Sequence, residues 1–83
     1  MPVKQAPNPD ENERDTEIAL FRYGLIAPLL FSPLPSGQVE KALRQIASQS
    51  YTIPYSTRTR IGITTLRRYL KQYRQGGFES LLP

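Results

Sequence analysis

Three runs of apolar residues with helical spacing punctuate this 83-residue chain, separated by stretches rich in Pro, Gly, Ser and Thr. The middle run has the cleanest period. Val39, Ala42, Leu43, Ile46 and Ala47 recur at steps of three, one, three and one, which places them on one stripe of a helix. Pro33 and Pro35 force extended backbone ahead of it, so Ser36 is the expected N-cap, and the helix should end near Ser50. Glu40 precedes Arg44 by four residues, the favourable order for a local surface pair. The last run, Ile63, Leu66, Tyr69, Leu70 and Tyr73, makes a second stripe, with Gly62 as N-cap and Gly76-Gly77 as the stop. Phe78 follows where a Schellman cap places its hydrophobic contact, and Leu81 and Leu82 are expected to fold back onto the core.

The first run, Ile18, Ala19, Leu20, Phe21, Tyr23, Leu25 and Ile26, is apolar on more than one face. It predicts a largely buried helix with Arg22 as its exposed exception. Asp15 or Thr16 is the expected cap, with Glu17 in the first turn where the dipole favours an anion. Pro28 removes a hydrogen bond and predicts a kink or break near Tyr23 to Ala27, with Leu29, Leu30 and Phe31 continuing beyond it. Ahead of the helix, residues 1–15 carry Pro2, Pro7, Pro9, Asn and acids and have little to bury. They read as a disordered acidic arm, leaving 16–83 as one domain. Between the second and third helices, Tyr51, Ile53 and Tyr55 alternate with Thr52 and Pro54, and Thr57 to Ile61 alternate again. Two readings stand there, a short two-stranded β-ribbon or an ordered loop.

Charge changes the picture more than composition does. The net charge is +4, but it is divided along the chain. Residues 1–17 hold two bases against five acids (Asp10, Glu11, Glu13, Asp15, Glu17), a net of −3, while residues 18–83 hold nine bases against Glu40 and Glu79, a net of +7. From Arg58 to Arg74 there are six bases and no acid. A face built only for solubility mixes its signs to limit self-repulsion, so a one-signed segment reads as a footprint for a polyanion. At roughly 100° per residue, Thr64, Arg68, Lys71 and Gln75 lie opposite the apolar stripe of the third helix. Arg67 and Arg74 flank them on one edge, Thr65 and Gln72 on the other. Hydroxyls, amides and cations are the groups that reach phosphates and base edges, and such a face suits a helix lying in the major groove. Thr64, Thr65 and Arg68 would sit nearest the bases, with Arg58 and Arg60 clamping the adjacent backbone. Tyr69 and Tyr73 suit base stacking in principle, but their period assigns them to the core.

Three strings carry a resemblance. Leu20-Phe21-Arg22-Tyr23-Gly24-Leu25-Ile26-Ala27-Pro28-Leu29-Leu30, Arg58-Thr59-Arg60-Ile61 and Thr65-Leu66-Arg67-Arg68-Tyr69-Leu70-Lys71-Gln72-Tyr73-Arg74-Gln75-Gly76-Gly77-Phe78 resemble the N-terminal region of bacterial transposases with a retroviral-integrase-like catalytic core further along the chain. The resemblance implies an all-α, homeodomain-like three-helix domain of the helix-turn-helix kind, binding double-stranded DNA at transposon ends and residing on DNA in a bacterial cytoplasm. It places Thr65, Arg67, Arg68 and Lys71 toward DNA and Leu66, Tyr69, Leu70 and Tyr73 inward. Two departures stand out. Gly62 occupies what is often a Ser-type cap, and residues 51–61 exceed the short turn of a minimal motif.

With no His and no Cys, the chain lacks imidazole bases, thiolates and the usual zinc ligands, and the family's catalytic acidic triad is not identifiable. The expectation is a non-enzymatic module with no cofactor and no metal. Its start has no apolar core of signal-peptide length, and nothing addresses it to a membrane. Oligomeric state is open at this point. The competing readings are a transcriptional regulator using the same fold, and a protein-docking module using the first helix and Leu81-Leu82.

Overall fold

In the computed structural model, which describes residues 9–31 and 34–83, apolar periodicity becomes three helices and one short turn of 3₁₀ helix. They are α1 (Pro9–Phe31), α2 (Ser36–Ala47), α3 (Ile63–Gly76) and η1 (Phe78–Leu81). The all-helical class expected from the sequence is what is observed. Residues 51–61 are a loop, and among the described residues there is no strand, so the ribbon reading is set aside. One backbone bond crosses the loop, from the Tyr51 N–H to the Thr59 carbonyl at 2.7 Å, and another closes a turn from the Ser56 N–H to the Ile53 carbonyl at 3.2 Å. Pro54 has no N–H to give a ladder, and Tyr55 turns the chain with a φ of 58°, which ends the alternation a strand needs.

Helix boundaries depart from expectation in informative ways. α1 begins at Pro9, ahead of the expected cap at Asp15 or Thr16, so residues 9–15 are helical. Proline is tolerated in the first turn because its missing N–H has no intrahelical acceptor, and no further proline interrupts the chain before Pro28. Residues 1–8 of the expected arm lie outside the described residues. Pro28 does not end α1, which runs on to Phe31. At α2 the cap is Pro35 rather than Ser36, and its carbonyl accepts the N–H groups of Gln38 at 2.9 Å and Val39 at 3.1 Å. Gly62 does precede α3, its carbonyl accepting the Leu66 N–H at 3.1 Å. The helix stops at Gly77, whose φ of 73° is one that a side chain would strain.

The core is assembled from every element. Ala19, Leu25, Ile26 and Leu29 of α1 are buried with Leu43 of α2, Ile61 of the loop, and Leu66, Tyr69 and Leu70 of α3. Leu81 of η1 closes it, fully buried as expected of a residue folding back, while Leu82 stays exposed. Tyr69 is buried and Tyr73 packs partly buried, its ring 5.5 Å from that of Tyr23, so both tyrosines serve packing as their period implied. α1 is less enclosed than its composition suggested: Leu20 is 56% and Phe31 70% exposed. Arg22, the expected exposed residue, is instead half-buried. Among the described residues, no helix is long and apolar enough to cross a membrane.

Candidate nucleic-acid interface

α3 positions most of the candidate residues, and its apolar stripe decides which way they point. Leu66, Tyr69 and Leu70 face the core, Thr64, Arg68, Lys71 and Gln75 are exposed on the other side, and Arg67 and Arg74 are exposed at the edge toward α2. Thr65 and Gln72 sit half-buried at one edge. The angular assignment from the sequence therefore holds for this helix. Arg58 and Arg60 are exposed in the loop that leads into it.

These residues do not form one patch. A cleft of about 330 Å³ opens between α1, the loop and the start of α3, and its lining brings Arg58, Arg60, Thr65 and Arg68 together with Arg22. A second, more open groove of about 550 Å³ runs between α2 and α3, where Arg67, Lys71 and Arg74 border Leu34, Val39, Leu43 and Leu70. Thr64 lines neither and stands exposed on the arc between them.

The two sides differ in how their charge is balanced. Arg67 reaches across to α2 and grips Glu40, with Nε to Oε1 at 3.1 Å and a terminal nitrogen to Oε2 at 2.6 Å. The hydrogen bond from Arg67 holds the Glu40 carboxyl below its ordinary range; desolvation opposes this, and the Arg67 and Arg44 charges assist. The same bond pushes Arg67 above its usual value. The local Glu40–Arg44 pair expected from spacing is thus replaced by a pair between helices. Two bonds to a planar guanidinium fix geometry better than one flexible contact on a single helix face. Both partners are substantially exposed, and the pair contributes little to stability.

On the cleft side, Arg22 is the residue that sequence reasoning missed. Its guanidinium donates to the Leu81 carbonyl at 2.8 Å and lies over the Tyr69 ring at 5.0 Å. Arg68 approaches the same ring at 6.0 Å. Nothing in the local pattern around Arg22 signals this, because the carbonyl it holds is 59 residues away in sequence. Tyr55, at the rim, donates its hydroxyl to Glu17 Oε1 at 2.9 Å, which raises the phenol pKa, and Arg14 sits over its ring at 5.2 Å. This contact fixes the turn of the loop to α1 and so helps hold the segment that carries Arg58 and Arg60. The chain matches no protein-family model, no curated protein and no solved structure.

Proposed function

We propose that the chain is a helix-turn-helix module that binds double-stranded DNA, with α3 as the helix presented to the major groove and the loop before it on the sugar-phosphate backbone. One observation carries this reading: Arg68 and Lys71 are exposed opposite the buried stripe of α3 and Arg67 and Arg74 at its edge, and the sequence from Arg58 to Arg74 holds no acid, with Arg67 engaged by Glu40 of α2. A helix anchored by one face and cationic on the other supplies both the rigid support and the polar groups that groove binding requires. Thr64 and Lys71, exposed opposite the buried stripe, take the positions closest to base edges; Arg58 and Arg60 take phosphates. The resemblance of the chain to transposase N-terminal regions supports transposon ends as the duplex and a non-enzymatic role for this segment, with cutting and joining done elsewhere in a longer parent.

The test is a titration of labelled duplex DNA at low and raised salt. Binding at low salt should weaken linearly on a log–log plot as salt rises, by about 0.9 per phosphate neutralised. A single tight sequence among random duplexes would add the sequence-specific part of the reading. No affinity at low salt would refute it.

A further inference from the structure

Four arginines from three different elements meet at one cleft: Arg22 from α1, Arg58 and Arg60 from the loop, and Arg68 from α3. Held together they repel, and among the described residues no carboxylate lines the cleft; Glu17 stands at its rim, bound to Tyr55. Among the described residues, the one salt bridge is Arg67–Glu40, on the other side of α3. Arg22 is not free to swing away, because the Leu81 carbonyl and the Tyr69 ring fix it. The loop arginines are held near by the Tyr55–Glu17 hydrogen bond at the rim and by Ile61, which is buried in the core beside them. The exposed guanidinium groups of Arg58, Arg60 and Arg68, gathered with the anchored Arg22 around a space of about 330 Å³, suit an anion with several acceptor oxygens.

We infer that this cleft is a phosphate-binding site, and that on DNA it holds a backbone phosphodiester of the strand passing between α1 and the start of α3. The second clause rests on the duplex-binding reading; the first does not. Guanidinium forks match the geometry of phosphate oxygens, and Thr65 and Ser56 add hydroxyl donors at the lining. Arg68, which spacing alone assigned to a base edge, belongs to this phosphate group instead. Its contribution is then to grip and register rather than to read sequence.

The experiment uses the full chain, isotope-labelled, with inorganic phosphate as the probe and chloride at equal ionic strength as reference. Phosphate should shift, saturably, the Nε–H signals of Arg58, Arg60 and Arg68 and the amides from Gly62 to Thr65, leaving Arg44 and Arg74 as they are in chloride. Replacing Arg58→Gln and Arg60→Gln together should weaken phosphate about tenfold, the loss of two charge-assisted contacts, while Arg74→Gln leaves it unchanged. The amides of Leu66 and Leu81 report that the fold is kept; if the double variant loses them, Arg68→Gln, at an exposed position, makes the same comparison. Equal shifts at Arg44, Arg74 and the cleft arginines, or no saturation, would overturn the site. A second arm titrates duplex DNA. Duplex binding that leaves the cleft signals still overturns the cleft and keeps the DNA reading. Saturable phosphate binding without duplex affinity keeps the cleft and removes the DNA reading.

Discussion

The two sides of α3 start from the same sequence feature, a run of bases without acids, and end in different electrostatic states. On the α2 side Arg67 is neutralised by Glu40, and the groove it borders is floored by Val39, Leu43 and Leu70. On the loop side Arg22, Arg58, Arg60 and Arg68 share a cleft that no carboxylate lines among the described residues. The difference shows that a count of bases overstates the charge available to a ligand. A carboxylate beside a guanidinium offsets its charge and occupies part of its donor fork, whereas an unpaired guanidinium meets a phosphate with full charge and loses only water. The loop side should therefore carry most of the electrostatic affinity, and the α2 side should contribute less than its three bases suggest.

The comparison depends first on both sides being built on the same buried support. Leu66→Ala removes a fully buried side chain at the centre of α3 and should cost about 2 to 5 kcal/mol in denaturant unfolding. A neutral result would mean that the stripe is not the packed face and that the two sides are misassigned. Next in size is a difference in salt dependence. Replacing Arg58 and Arg60 together should flatten the salt dependence of duplex binding by about two units of slope, and Arg67→Gln should change it by clearly less than one. Equal effects per arginine would erase the distinction between the sides.

A smaller effect has the opposite sign. Glu40→Gln releases Arg67, so it should strengthen duplex binding and steepen the salt dependence by up to about one unit. Weaker binding by this variant would show that the pair positions Arg67 for the ligand rather than withholding it. The smallest effect is on stability. Glu40 has a depressed pKa in the folded state, so its contribution is present above the unfolded value and is lost as pH falls through the folded one. Melting temperatures of the native chain should therefore fall slightly further on acidification than those of Glu40→Gln. The gap will be small because both partners are open to solvent.

Much of this arrangement was legible in the sequence where the determinant is local. The stripes Val39–Ala47 and Ile63–Tyr73 specify two helices because the period of side chains along a helix decides which of them reach the core. The exposed arc of α3 follows from the same period. What escaped depends on contacts between elements. Arg22 looks like a solvent-facing residue until η1 brings the Leu81 carbonyl to it. Glu40 has a sound partner four residues on, and only the packing of α2 against α3 offers it Arg67 instead. The early start of α1 was missed for another reason. Residues 9–15 have little to bury on their own, but a helix already nucleated by the packed residues from Ala19 onward extends at low cost. The alternation in 51–61 suggested strands, yet a two-stranded ribbon needs ladder bonds, and Pro54 and the left-handed Tyr55 interrupt them.

The proposal that DNA lies against the exposed face of α3 and the loop arginines is tested by amide mapping of the labelled chain with duplex DNA. Perturbed amides should run from Ser56 to Thr65 and along the exposed positions of α3, with Arg22 as the responding residue of α1. Perturbation confined to the Leu20 and Phe31 face of α1, or no binding at low salt, would contradict it and point to a docking surface for another protein instead.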